Sequence, residues 1–133
     1  MSLKMGLFKP ESFEPMYTAE RCYITEVLNT NQSADVSLAV CLVKPGVTTQ
    51  LHHLEVAERY VVTAGQGRME LNHSDVFAIG PGDCVLIPAL CPQRVINVGD
   101  NDLIFHCVCT PRFEPQHYIN TETDASLPIG EML

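Results

Sequence analysis

Short apolar runs separated by turn-forming clusters recur along the whole chain. The pattern predicts strands at 21–28, 35–44, 47–52, 58–64, 68–71, 76–79, 83–87, 93–98 and 103–109. Between them lie Asn29-Thr30-Asn31, Pro45-Gly46, Gly65-Gln66-Gly67, Asn72 to Asp75, Gly80-Pro81-Gly82, Pro88 and Gly99 to Asp102. Glycine supplies positive φ, proline presets φ, and Asn or Asp side chains bond back to their own backbone, so each cluster has a turn mechanism. Met69 and Leu71 alternate with Arg68 and Glu70, and a polar turn then leads into Val76-Phe77-Ala78-Ile79, the pattern of a hairpin. No window sustains a 3.6-residue apolar period together with helix caps. Many short strands at regular spacing make the chain all-β, a sandwich or barrel.

Length and composition narrow this further. The chain has 133 residues, 46% of them hydrophobic and 18% charged, the balance of one globular domain and not of a disordered tail. Sixteen Asp and Glu against eight Lys and Arg give a formal charge of −8. That surface repels phosphate backbones and no basic stripe offsets it, so nucleic acid is excluded as a partner. No segment approaches the roughly 18 apolar residues of a membrane helix. The longest apolar run, 36–43, is interrupted by Ser37 and stopped by Lys44-Pro45-Gly46. The start shows no secretory pattern, so a cytoplasmic protein with reduced thiols is expected. The six cysteines form no C-x-x-C pair and sit mostly in apolar runs, where free Cys acts as a small hydrophobe of the core. Met1-Ser2-Leu3 reads as vector-derived, with residues 1–4 set apart and a native start near Met5. The rest, 5–133, is expected to be a single domain with a core region at 35–109 and a tail at 110–133. The ends carry Pro10, Pro15, Pro111, Pro115 and Pro128 and are expected to wrap the outside of the domain or a partner subunit.

Two windows carry the chemistry. The first holds Gly46, His52, His53, Glu58 and Gly65; the second holds Gly82, Pro88, Gln93 and Asn97. With these residues the chain resembles the small single-domain cupins (the cupin type-2, conserved β-barrel form). Their first motif is G-x5-H-x-H-x3/4-E-x6-G and their second is G-x5-P-x-G-x2-H-x3-N. Gly46, His52, Glu58 and Gly65 match the first at the right offsets, and Gly82, Pro88 and Asn97 match the second. The resemblance implies a double-stranded β-helix (jelly roll, or cupin barrel) with a pocket open at one end. It also implies a homodimer, often made by exchanging an N-terminal strand; the apolar stretch at 22–27 would serve, since pairing covers an open edge.

The chain departs from the pattern at three positions. Leu54 stands at the second His, Gln93 at the third, and Leu90 replaces a glycine. The metal set implied by the resemblance is therefore reduced to His52, Glu58 and Gln93, for one divalent transition metal (Fe, Mn, Ni or Zn) or for none. Affinity in such sites comes largely from imidazole nitrogens. Adjacent strand residues face opposite ways, so His53 points out if His52 points in.

The same alternation puts Tyr60 and Val62 on the face of Glu58, and Val95 and Asn97 on that of Gln93. His52, Glu58, Tyr60 and Gln93 are the expected ligand-pocket residues. On the last strand His106 opposes Cys107 and Cys109, and either set could face inward. Tyr60 and His106 are the catalytic candidates: a phenol can donate a proton, and a neutral imidazole works as acid, base or ligand near pH 7. Each has a plainer competitor, since His52 with Glu58 makes a satisfied buried pair and Tyr60 a core aromatic. Arg94 reads as a solvated rim charge, and His73 and His117 take no role. No nucleophile elbow, phosphate loop or dinucleotide fingerprint is present. Two readings of function stand side by side. One is a metal-dependent enzyme of dioxygenase, isomerase or decarboxylase type acting on a small organic substrate. The other is a metal-free small-molecule-binding or sensor barrel without catalytic activity.

Overall fold

The computed structural model describes residues 5–9 and 16–123. Its strands are β1 (Met16–Tyr17), β2 (Tyr23–Leu28), β3 (Ser37–Val43), β4 (His52–Leu54), β5 (Ala57–Ala64), β6 (Gly67–Leu71), β7 (Asp75–Ile79), β8 (Cys84–Ile87), β9 (Gln93–Asn97), β10 (Leu103–Thr110) and β11 (Tyr118–Asn120). They form two antiparallel sheets, one in the order β1-β2-β3-β10-β5-β8 and the other β11-β4-β9-β6-β7. The two sheets enclose the core, a double-stranded β-helix. No helix of the described residues is long and apolar enough to cross a membrane.

Alternation along the strands decides what goes inside. In β5 Glu58, Tyr60 and Val62 are buried while Arg59 and Val61 are only half-buried; β9 likewise buries Gln93, Val95 and Asn97. Val43, Val62, Met69, Ile79, Val85, Val95 and Leu103 fill one end of the barrel with hydrocarbon, each at most 4% exposed. The chamber lies towards the other end.

Sequence and structure part in several places. The strand expected at 47–52 is regular only over His52–Leu54, preceded by an isolated bridge between Thr48 and Ile96. Thr49 explains the break. Its N–H donates to the Val95 carbonyl at 2.9 Å, and its own hydroxyl oxygen accepts the Val95 N–H at 2.9 Å, so a side chain takes a backbone group's place in the ladder. The stretch at 22–27 forms β2, which pairs with β3 with Ile24 opposite Cys41. Cys84, expected in the core, is exposed on β8, an edge strand. The tail does not merely wrap the outside: β11 extends the second sheet by pairing with β4, Tyr118 opposite Leu54 and Asn120 opposite His52. Residues 1–4, 10–15 and 124–133, with the start expected to be vector-derived and with Pro10, Pro15 and Pro128, lie outside the described residues.

The motif residues hold the turns. Leu90, where the family carries glycine, keeps the left-handed conformation with φ 69°, at a cost of about 1–2 kcal/mol that glycine would avoid. Asn97 is 1% exposed. Its Nδ2 donates to the carbonyls of Val43 at 2.8 Å and Asn101 at 2.9 Å, and its Oδ1 accepts the Gly99 N–H at 2.9 Å. Asn97→Ala strips a partner from all three backbone groups. A loss of roughly 3 kcal/mol is expected in urea unfolding, since each buried group left unmatched costs about 1–3 kcal/mol. A loss below 1 kcal/mol would mean that water or rearranged backbone holds the turn.

Candidate functional site

The open end of the barrel holds a cavity of about 70 Å³. One water needs about 10–15 Å³ on the same measure, so the space takes a small organic molecule of a few heavy atoms. Strands β2, β3, β5 and β10 supply one wall, with Cys22 at the entry to β2. His52 and Leu54 of β4 and Tyr118 of β11 supply the other, and Glu20, Thr49 and Phe113 complete it from loops. Tyr60 and Phe105 stack at 4.3 Å between ring centroids and belong also to the hydrocarbon core, so they make the cavity's floor.

Glu58 is the most unusual group in the chamber. It is 6% exposed, and its Oε1 has no hydrogen-bond partner. Its Oε2 accepts a long contact from the Cys109 thiol at 3.7 Å. Burial, and then the charge of Glu20, push Glu58 up to about 8; the Gln93 amide and the Cys109 and Cys107 thiols offset part of this. At neutral pH it is therefore mostly a protonated acid.

His52 has one tautomer available. Its Nδ1 lies 2.7 Å from the Gln50 carbonyl, which can only accept, so Nδ1 carries the proton and Nε2 is the free acceptor. Nε2 stands 3.8 Å from Glu20 Oε1, too far for a direct hydrogen bond. Burial drives His52 down to about 4, against the opposing Gln50 bond. Glu20 is pushed up to about 7 by burial, with the Tyr118 hydroxyl pulling the other way. The His52 ring stacks on Tyr118 at 4.5 Å between centroids, which fixes its plane.

The expected site residues are brought together unequally. His52, Glu58 and Tyr60 line the cavity, whereas Gln93, 1% exposed, lies behind it. Gln93 Oε1 accepts the Tyr60 hydroxyl at 2.7 Å, so the amide holds the wall and does not project into the space. That bond also commits the Tyr60 proton, and burial raises Tyr60 well above the usual phenol range; it is a poor proton donor. His106 stands on the outer face of β10, because Phe105, Cys107 and Cys109 take the inner one. It can neither replace a missing ligand nor reach a bound molecule. Glu20, Phe113 and Tyr118 are cavity residues that the sequence did not reveal. The four lining thiols, Cys22, Cys41, Cys107 and Cys109, are not thiolates. The Cys41 thiol and burial raise Cys22, and burial and Glu58 raise Cys109, so none is an activated nucleophile.

A transition metal would need donors that this arrangement does not provide. Leu54 occupies the second imidazole position, and the Gln93 oxygen is taken by Tyr60. Among the described residues no group of three or more His, Cys, Asp or Glu is placed to hold a metal ion. The residues present do not fit a divalent metal on His52, Glu58 and Gln93.

Fold and chamber together define a double-stranded β-helix that encloses a small cavity. Residues 39–109 match the cupin domain profile, and the chain belongs to the cupin family. It is 30% identical over 116 residues to an uncharacterized protein of Methanocaldococcus jannaschii, covering 84% of this chain and 92% of that one. It is also 28% identical over 103 residues to the oxalate decarboxylase OxdC of Bacillus subtilis, covering 74% of this chain but only 26% of that enzyme. The chain thus spans about a quarter of the decarboxylase's length. Among solved structures, KdgF from Halomonas sp. superimposes with a TM-score of 0.70 at 16% identity, covering 85% of this chain and 99% of that one; this likeness shows the fold.

Proposed function

We propose that this protein is a metal-free cupin that binds a small organic molecule inside its barrel. Glu58 carries the reading: a buried carboxyl group with one unpartnered oxygen lines a cavity from which two of the family's imidazoles are missing. Leaving such an atom unmatched costs about 1–3 kcal/mol, and a ligand that meets it recovers that cost. The apolar walls with a few convergent polar groups are those of a small-molecule site. The similarity to oxalate decarboxylase supports the second reading, a metal-dependent enzyme of decarboxylase, isomerase or dioxygenase type.

One experiment separates the two. Chelator-treated protein is screened by thermal shift against small organic molecules, beside Ala39→Phe, which places a ring in the cavity, with circular dichroism confirming that the variant folds. A ligand at a hundred times its Kd adds about 2.7 kcal/mol, a rise of several degrees. The binding reading expects such a rise in the native chain without added metal, and none in Ala39→Phe. A stoichiometric divalent metal retained through purification and required for the shift would overturn it.

A further inference from the structure

The charge that the chamber's lining can carry is one-sided: its carboxyls can become anions, and His52 is its single imidazole. Several of its donors are committed to the protein: Tyr60 hydroxyl to Gln93 Oε1 at 2.7 Å, Tyr118 hydroxyl to Gln50 Oε1 at 2.7 Å, Thr49 hydroxyl to the Val95 carbonyl at 3.4 Å, and His52 Nδ1 to the Gln50 carbonyl at 2.7 Å. The Glu58, Glu20 and Glu26 carboxyls line the space with His52, whose Nε2 is an acceptor; a carboxyl accepts on both oxygens once it has given up its proton. Among the described residues no Lys or Arg lines the cavity. Arg21, the cation next to Glu20 in sequence, is turned to Glu122 at 2.7 Å.

The apolar part of the wall is aromatic as well as aliphatic, with Tyr60, Phe105, Phe113 and Tyr118 all lining the cavity. The face of an aromatic ring attracts a cation, by about 2 kcal/mol or more when the site is desolvated. A carboxylate ligand would meet ring faces and no Lys or Arg to balance it, and a charge left unpaired in a desolvated site is costly.

We infer that the ligand of this cavity is a small protonated amine, donating N–H to the Glu58 and Glu20 carboxyls, which give up their protons to solvent as the cation pairs with them, while its carbon skeleton lies against the aromatic floor. This rests on the binding reading above and gives it a ligand class. It sets the chamber apart from one that takes a dicarboxylate such as oxalate.

Calorimetry with compounds of four to six heavy atoms tests it: butylamine, tetramethylammonium, n-butanol, butyrate and oxalate. Butylamine is expected to bind most tightly. Tetramethylammonium, a cation without N–H, should be weaker; n-butanol, a donor without charge, weaker again; the two anions should not bind. Glu58→Gln should weaken butylamine at least tenfold, with circular dichroism confirming its fold. The proposal is overturned if butyrate or oxalate binds more tightly than butylamine, if none of the five binds, or if Glu58→Gln leaves butylamine unchanged. Its failure is separable from that of the binding reading. An anion that binds the native chain and is lost in Ala39→Phe sinks the amine alone, whereas a screen in which Ala39→Phe alters no response sinks both.

Discussion

At pH 9 the Glu58→Gln variant is expected to be several kcal/mol more stable than the unsubstituted protein, and at pH 4.5 the two should agree to within about 1 kcal/mol. The reason is proton linkage. Glu58 is pushed from 4.5 up to about 8 in the folded chain, first by burial. Between those values the folded state holds a proton that the unfolded state has released. Stability is therefore fully present below pH 4.5 and falls as pH rises through the window to about 8, where it levels off. At 1.36 kcal/mol per unit, the whole span is worth an upper bound of about 5 kcal/mol. Glutamine keeps the shape and never ionises, so the variant escapes the loss.

Other groups at the site titrate as well, and their signs matter. Glu20, raised to about 7, also loses stability as pH climbs above 4.5. His52, lowered to about 4, does the reverse: its contribution is present above 6.5 and lost as pH falls towards 4. Both are present in variant and parent, so they largely cancel in the difference, apart from the part of the Glu58 shift that the Glu20 charge supplies. Tyr60, Cys107 and Cys109, the other titratable groups beside Glu58, are raised and stay neutral through most of the window. Urea unfolding of both proteins at half-unit steps from pH 4.5 to 9 reads the difference directly. A difference that stays flat with pH would show that Glu58 is ionised in the fold throughout.

Much of this fold was legible because its determinants are local. The turn residues at Gly46, Gly65 and Gly82 all take positive φ, as their spacing in the two motifs required. Glu58, Tyr60 and Val62 share the inner face of β5 because a strand's period is two. The unread parts depend on pairing between distant residues. Alternation in 103–109 separates His106 from Cys107 but cannot say which faces the chamber; that is set by the register of β10 against β3 and β5, with Cys107 opposite Ala39 and Tyr60. Gln93 sits at the position of a metal ligand, yet its orientation comes from the Tyr60 hydroxyl, a residue 33 positions away. Phe113 and Tyr118 lie in a proline-broken tail without alternation, and only the pairing of β11 with β4 carries Tyr118 to the ring of His52. Glu20 stands in a turn before β2 and had no local signal at all.

Gly65→Ala is expected to cost more than about 3 kcal/mol, a large share of a total stability of about 5–15 kcal/mol. Three motif glycines share positive φ, at 79° for Gly46, 87° for Gly65 and 92° for Gly82, so conformation alone would rank them together at about 1–2 kcal/mol each. Their surroundings differ. A Cβ on Gly46 or Gly82 meets nothing within 4 Å, whereas one on Gly65 would lie 2.5 Å from the Asp102 carbonyl oxygen and 2.7 Å from the Leu103 Cα. Both are backbone atoms, so no side chain can swing aside, and relief requires the end of β5 to part from the start of β10. Leu103 is fully buried and Ile104 pairs with Ala64 there, so the opening would propagate into the hydrocarbon end of the barrel and along the strand that carries Glu58 and Tyr60. Gly46→Ala and Gly82→Ala are the controls, with a loss of about 1–2 kcal/mol each in the same unfolding measurement. A Gly65→Ala protein no less stable than these controls would mean that the β5–β10 corner yields easily, and the close approach would then not be what requires glycine at this position.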